Sequence, residues 1–357
     1  MRSSTSPVFP RLSRSAAINA SSPVLVTGGT GFLGRAILER LLADGKRVKA
    51  LARSETSAEA LRGSGAEPVR GDVLDSEALI SAMRGCELVY HAAGANAFCV
   101  RDPSPMFEVN VQGSQNVIRA AARADVKRVV YTSSAATLGE KKGTVGSEQS
   151  PHRGRFLSDY ERSKFDAERA VLAASEETAV EVVCVNPASV QGPGRATGST
   201  RLLLDYLNGR LKAVVDSTLS LIDIDDCTAG HLLAASRGKP GERYVLSGST
   251  LSVREGLELL GNLAGVEQPV RTLPPTLAMA VATAVEAVAW VRRDTPRICR
   301  ELARTLTHGH AYDGSKATRE LGLRYTPIEE TLRRTIDWWV GQGLVPAREP
   351  ANPQPTS

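Results

Sequence analysis

A short apolar run, Val24-Leu25-Val26, leads straight into Thr27-Gly28-Gly29-Thr30-Gly31-Phe32-Leu33-Gly34 and then into residues spaced as on a helix. Glycines allow a sharp turn and let a ligand approach the backbone, while a helix that begins there offers unpaired N–H groups and the positive end of its dipole. Apolar positions at helical spacing (Phe32, Leu33, Ala36, Ile37, Leu41, Leu42) run to Asp44-Gly45, a stop signal, before a second strand at Val48 to Leu51. Strand, glycine turn, helix and strand within about thirty residues is the start of a parallel sheet that holds a dinucleotide at its strand ends. The glycines fit two spacings, Gly29-x-Gly31-x-x-Gly34 and Gly28-x-x-Gly31-x-x-Gly34, and do not choose between them.

The alternation continues. Pro68-Val69-Arg70 leads to Gly71-Asp72, a helix follows from Ser76, and apolar strands come at Leu88 to His91, Arg128 to Tyr131 and Val182 to Val185. Strands separated by helices predict an α/β fold, a doubly wound parallel sheet covered on both faces. After Gly192-Pro193-Gly194 the pattern loosens into short strands, as at Tyr244-Val245-Leu246, and helices from Val253 and Ile328. The expected organisation is a leader (1–22), a dinucleotide-binding domain (23–192), a mainly substrate-binding α/β portion (193–345) whose boundary is soft, and a proline-rich disordered tail (346–357). The Ser- and Arg-rich leader reads as a flexible extension or an organelle-targeting segment. Thr276 to Val291 is nearly uninterrupted Ala, Val, Leu and Met, short for a membrane span; it predicts a buried wall of a core or pocket, with an interfacial membrane contact as the alternative.

Composition excludes several function classes. Of the formal charge of +5, three units come from Arg2, Arg11 and Arg14 in the leader, and no Lys/Arg run follows, which argues against nucleic-acid binding. Five widely spaced cysteines without a Cys-x-x-Cys pair predict free thiols in a reducing compartment and, with it, a cytoplasmic location unless the leader directs the chain to an organelle. His308 and His310 are the only close histidine pair and have no carboxylate at ligand spacing in sequence, so no metal is expected.

The second strand ends Leu51-Ala52-Arg53, where an NAD-preferring site normally has an acid for the ribose 2′-hydroxyl. A guanidinium there suits a 2′-phosphate, so NADP(H) is expected over NAD(H). Further on, Tyr160-Glu161-Arg162-Ser163-Lys164 puts a phenol and an ammonium on one face of a helix predicted from Asp159 to Leu172. A Tyr in water titrates near pH ~10, and a neighbouring Lys⁺ stabilises its phenolate. Between turn and helix, Tyr131-Thr132-Ser133-Ser134 ends a strand in two hydroxyls, where open α/β sheets place ligands.

Together with Gly71-Asp72-Val73, His91-Ala92-Ala93-Gly94, Asn110-Val111-Gln112-Gly113 and Asn186-Pro187, these motifs resemble the extended short-chain dehydrogenase/reductase superfamily from about Val24 to Val340. Tyr131 to Gly139, Asn208-Gly209-Arg210 and Asp225 to His231 are most similar to its dihydroflavonol-reductase-like and hopanoid-associated epimerase-like branch. The resemblance implies that Ser134 orients the reacting oxygen, Tyr160 is the general acid/base, Lys164 binds the nicotinamide ribose and tunes Tyr160, and Asn110 supports a proton relay. It also implies a cofactor site of Thr27, Gly28, Gly31, Phe32, Leu33, Gly34, Arg53, Asp72, Val73, His91, Ala92, Ala93, Pro187 and Val190, and a homodimer packed through a four-helix interface. Ser133 competes with Ser134, and His91 and Asn110 could equally be satisfied polar groups under a helix.

The chemistry expected is exchange of hydride and proton at one carbon of a small-molecule alcohol or ketone. Sugar dehydration needs an Asp-Glu pair after the active-site hydroxyl, and Ala135-Ala136 stand there. Asn186 resembles a substrate-contacting asparagine of epimerases, yet their late Arg-x-Gly-Asp stretch is missing, and the apolar segment 276–291 suggests a greasy pocket for an isoprenoid, flavonoid, steroid or lipid-like substrate. A nucleotide-sugar epimerase with tightly held NAD is the alternative, and a non-catalytic NAD(P)-binding regulator a second. One departure from the branch is Asp223 in Leu221-Ile222-Asp223-Ile224-Asp225-Asp226, where relatives carry His.

Overall fold

The protein is described by a computed structural model over residues 22–346, except 179, 199 and 297. The proposed leader and tail fall almost wholly outside the described residues.

Seven parallel strands form the central sheet, in the order Arg243–Leu246, Glu181–Pro187, Arg128–Thr132, Leu88–His91, Val24–Thr27, Val48–Ala52 and Glu67–Arg70. Every neighbouring pair is parallel, as in Val24 beside Val48 and Leu88. The strand order turns back at Val24–Thr27, the switch point where ligands bind in such sheets. Side chains alternate between faces with a period of two. Val24, Val26, Ala50 and Val130 pack in one apolar layer, while Leu25, Leu51, Val129 and Tyr131 pack in the other.

The helices that cover the sheet start where the sequence signals them, at Phe32–Ala43, Ser76–Met83 and Asp159–Thr178. Ser104–Phe107, a π turn at Glu108–Gln112 and Gly113–Arg123 run on as one helix. A third core lies beyond the sheet, where Leu204, Leu207, Leu257 and Leu260 pack against Ile336 and the fully buried Trp339.

The soft boundary at 192/193 is crossed in space. Arg243–Leu246, read as part of the substrate-binding portion, is the edge strand of the central sheet, and Cys227, Ala234 and Ala235 of helix Ile224–Arg237 pack into the same core as Leu38. Asp223, the departure from the branch, caps this helix by accepting from the Asp225 N–H at 2.7 Å, and its other oxygen accepts from Thr331 and Arg334. It ties the helix Ile328–Gly341 to a second sheet of three strands, Ser249–Ser252, Thr218–Asp223 and Ser189–Gln191, at the position where the branch carries a histidine.

Two expectations fail. Cys99 and Cys299, 200 residues apart, are joined by a disulfide, whereas Cys86, Cys184 and Cys227 are buried thiols. Spacing in sequence does not reveal such a pair, because the fold supplies the proximity. The helix Pro275–Arg292 is also no buried wall: only Ala282 and Ala289 are buried, and Val288, Trp290 and Val291 are exposed. Among the described residues no helix is long and apolar enough to cross a membrane.

Candidate active site

Because all seven strands are parallel, their C-terminal ends share one edge, and the residues singled out by sequence collect there. Gly28 to Gly34 follow the first strand, Arg53 the second, Asp72 the third, Ala92 and Ala93 the fourth, Ser133 and Ser134 the fifth, and Pro187 ends the strand next to it.

The glycine turn fits a dinucleotide for reasons visible in its packing. A Cβ on Gly34 would lie 2.1 Å from the Gly28 carbonyl oxygen, and one on Gly28, at φ +75°, would lie 2.6 Å from the Ala93 nitrogen. These two glycines close the turn. Gly29 packs over Leu38 and Leu61, whereas a Cβ on Gly31 would meet only the Gly28 oxygen, so Gly31 is the open side of the cradle. Gly31 caps the helix Phe32–Ala43 with no side-chain hydrogen bond and no acid in the first turn, which leaves the Phe32 and Leu33 end suited to an anion. An NAD(P) pyrophosphate fits this end of the sheet.

Thr27 and His91 lie beneath the cradle. Both are fully buried; the Thr27 hydroxyl meets His91 Nδ1 at 2.7 Å and accepts from the Ala93 N–H, while His91 Nε2 meets Ser114 Oγ at 3.0 Å. Burial, reinforced by the Lys164 charge, pushes the imidazole down to about 3, so it is neutral. His91 is a strut that ties two strand ends together, and Ala92 and Ala93 are the half-buried residues above it. Asp72 accepts from the Leu74 N–H in a tight turn, and Val73 is buried against Gly113. Arg53 is exposed and makes no ion pair or hydrogen bond among the described residues. Val190 is half-buried and pairs with Ile222 in the second sheet.

Tyr160 opens the helix Asp159–Thr178 and Lys164 follows one turn later. Lys164 Nζ donates to Tyr131 Oη at 3.2 Å and to the Thr132 carbonyl at 2.9 Å. Burial lowers this lysine to about 8, against the opposing pull of Glu168. Tyr160 is raised by burial, while a hydrogen bond with Ser134 and the charge of Arg195 act in the other direction. Ser134 Oγ accepts from the Ala136 N–H at 3.3 Å and is the hydroxyl that bears on the phenol, whereas Ser133 Oγ is buried without a partner. Phe98 lies 5.8 Å from the Tyr160 ring, centroid to centroid.

Asn110 sits in the π turn. Its amide oxygen accepts from Ala95 N–H at 2.7 Å and its nitrogen donates to the Ala95 carbonyl and to Ser163 Oγ. Both ends are thus spent on holding the 94–95 backbone to the Tyr160 helix, which makes Asn110 a clamp; the structure does not place it in direct contact with Tyr160 or Lys164. Asn186 is also turned inward: fully buried, it donates to the Ser134 carbonyl, Thr137 Oγ1 and Glu168 Oε2.

Several residues that motifs do not mark complete the site. Glu168 and Arg243 form an ion pair at 2.7 Å directly under the Ser134 turn, and both bond Thr137, whose hydroxyl donates to the Ser134 carbonyl. Glu168 stands four residues beyond Lys164, a spacing that places them on one helix face and is the only trace of this network in sequence. The Arg195 guanidinium lies 5.5 Å above the Phe32 ring. Glu301 accepts from the Cys99 and Asp159 N–H groups, so the second residue of the helix Arg300–His308 is tied to the residue before Tyr160. A cavity of about 470 Å³ opens there, lined by Arg101, Asp159, Trp290, Glu301 and Arg304 among others. It is polar and apolar in mixture, not the greasy pocket expected from the 276–291 segment.

The fold also brings Glu140 to the His308 and His310 pair. His310 Nδ1 meets Glu140 Oε1 at 2.7 Å and the Tyr312 hydroxyl at 3.0 Å, and His308 Nε2 meets the Glu140 carbonyl at 3.2 Å. The carboxylate missing from local sequence is therefore present in space, and the near ring nitrogens are occupied by protein partners.

A profile of the NAD dependent epimerase/dehydratase family matches residues 24–247. A Synechocystis protein named for dihydroflavonol 4-reductase is 33% identical over 329 residues, covering 90% of this chain and 95% of the relative. The 2-alkyl-3-oxoalkanoate reductase of Shewanella oneidensis is 31% identical, covering 88% of this chain and 85% of the relative. The crystal structure of gox2253 superposes with a TM-score of 0.80 at 31% identity over 91% of this chain and 99% of that one. The chain belongs to the NAD-dependent epimerase/dehydratase family and is an NAD(P)-dependent oxidoreductase of the short-chain dehydrogenase/reductase type.

Proposed function

We propose that this enzyme interconverts a ketone and an alcohol on a hydrophobic small molecule with NADP(H), using Ser134, Tyr160 and Lys164. The observation that carries the reading is the placement of Ser134 at the end of the fifth strand and of Tyr160 one helix turn before a buried, protein-held Lys164, at the edge where the glycine turn opens. In the direction of reduction, Tyr160 Oη gives its proton to the carbonyl oxygen while Ser134 Oγ donates a hydrogen bond to the same oxygen and fixes its place. Lys164, held by Tyr131 and Thr132, presents a positive charge behind the phenol that makes the departure of the proton less costly. The nicotinamide, when bound, supplies or takes the hydride. Oxidation runs the same proton transfers in reverse.

Hydrophobic substrates are favoured by the reductase names of the relatives, which include 2-alkyl-3-oxoalkanoates, and by Phe98 beside Tyr160. The epimerase alternative is weakened by Asn186, whose amide nitrogen is engaged beneath Ser134, and by two of the arginines beside the cavity. Arg101 caps the Ala289 and Trp290 carbonyls, and Arg300 is paired with Glu286 at 2.9 Å, so neither is poised to grip a diphosphate. Preference for NADP(H) rests on the exposed Arg53 at the end of the second strand, where an acid would repel a 2′-phosphate.

The test is NADPH or NADH consumption with a panel of hydrophobic ketones and 3-oxoacids. Tyr160→Phe is expected to lower kcat by about 10² to 10⁴ with cofactor affinity retained, and Arg53→Ala to raise KM for NADPH without raising that for NADH. A Tyr160→Phe enzyme that turned over at the native rate would overturn the assignment of the acid. Equal NADP/NAD preference before and after Arg53→Ala would remove that residue from cofactor choice.

A further inference from the structure

The helix Pro275–Arg292 is built with its apolar side outward. Leu277, Val281, Ala284, Val288 and Val291, spaced four and three residues apart, share one face and are all exposed, Val288 by 52% and Val291 by 75%. The acid of the helix, Glu286, is turned the other way and held by Arg300. A helix on the surface of a water-facing protein does the reverse, with charges out and the apolar stripe in. A contiguous exposed apolar face of this kind marks a place where something else makes contact.

The character of the partner follows from the helix's end. Trp290, 76% exposed, stands beside the stripe and is followed by Arg292 and Arg293, both exposed. No carboxylate shares the outward face, and the nearest acid beyond the arginines, Asp294, has an oxygen engaged by the Thr295 N–H. An apolar stripe with an aromatic at its margin and two guanidiniums at its tip matches the layered chemistry of a bilayer surface, acyl chains below and anionic headgroups beside them. A second copy laid on the same stripe would bring its own Arg292 and Arg293 to the patch, with Asp294 as the one acid beside them in the chain. The 18-residue helix is not long and apolar enough to cross a membrane, which leaves it lying along one.

We propose that the Pro275–Arg292 helix docks this protein flat on an anionic lipid surface, with Leu277, Val281, Val288 and Val291 entering the acyl boundary and Arg292 and Arg293 meeting lipid phosphates. The platform is held to the site rather than hanging from it. Arg101 caps the helix end, and the Cys99–Cys299 disulfide fixes the following segment to the loop that carries Phe98. Trp290 also lines the cavity beside Asp159, so docking brings the mouth of that cavity to the lipid and gives a hydrophobic substrate a route that avoids water. Docking does not depend on the reaction assigned above, and its test reads binding.

The experiment is co-sedimentation of the full-length protein with vesicles of phosphatidylcholine alone and of phosphatidylcholine with about a third phosphatidylglycerol. The native protein is expected to pellet with the anionic vesicles and much less with the neutral ones. The doubly substituted Val281→Asp, Val288→Asp protein, altered only at exposed positions, is expected to bind at least about tenfold less while keeping its thermal midpoint and its turnover of a water-soluble ketone. Arg292→Gln with Arg293→Gln is expected to remove the preference for anionic vesicles. The proposal is overturned if the native protein stays in the supernatant with both compositions, or if the aspartate variant binds as the native protein does. It is also overturned if the only change in that variant is the splitting of a dimer into monomers, which would make a second copy the occupant.

Discussion

Lys164 and Glu168 show how one helix turn tunes the site. Burial alone would drive the ammonium toward neutrality; the carboxylate one turn on opposes it, and the lysine rests at about 8. Above that pH the free enzyme loses the charge behind Tyr160, so kcat/KM for carbonyl reduction is expected to fall along an alkaline limb with a midpoint near 8. Glu168→Gln removes the opposing carboxylate and leaves Arg243 without its partner, and both changes disfavour a second positive charge nearby. The limb is therefore expected to move to lower pH by about half a unit to one unit, read from pH profiles of kcat/KM for native and variant proteins with NADPH well below its KM. A limb that stays in place would uncouple Glu168 from the lysine. This pair was half legible in sequence: the spacing of Tyr160 and Lys164 gains its force from Ser134 and the glycine turn ahead of it, but the contacts of Glu168 with Thr137, Asn186 and Arg243 link positions 31, 18 and 75 residues away, and only the fold joins them.

At the level of elements, most strands of the central sheet could be read because they are short apolar runs followed by a helix, and burial on both faces demands that pattern; Glu67–Arg70, at the sheet edge, is the exception in burial. The glycine turn could be read for the same physical reason that makes it fragile. Gly34→Ala places a methyl 2.1 Å from the Gly28 carbonyl oxygen, a distance real Cβ atoms do not show, so the turn must open. The expected result is loss of NADPH binding by at least about tenfold together with a lower thermal midpoint, since a clash with backbone has no flexible side chain to absorb it; binding titration and thermal denaturation check both. The helix Pro275–Arg292 was legible as a helix and illegible in its facing. Its residues are apolar nearly all round, so periodicity offers no phase, and only the single acid, drawn inward by Arg300, tells which side meets the protein. His91 was ambiguous for a related reason. A histidine at a strand end can face a ligand or bridge two strands, and the partners Thr27 and Ser114 decide for the bridge.

For the molecule as a whole, the Cys99–Cys299 bond joins two points on either side of the residues assigned to proton transfer, while the glycine cradle precedes both. Ser134, Tyr160, Lys164, Glu168 and Arg243 all lie between the two cysteines. Closing a loop of 200 residues removes conformations from the unfolded chain and is worth up to about 5 kcal/mol in the chain-entropy treatment. Cys99→Ser is accordingly expected to lower the thermal midpoint of the oxidised protein and to leave that of the fully reduced protein nearly unchanged. A protease cut anywhere from Val100 to Ile298 would turn one chain into two without separating them. The nicked protein would run as a single species until a thiol is added and then fall into two pieces, so the Ser134 and Tyr160 halves of the site could be severed in backbone and still be held in one molecule.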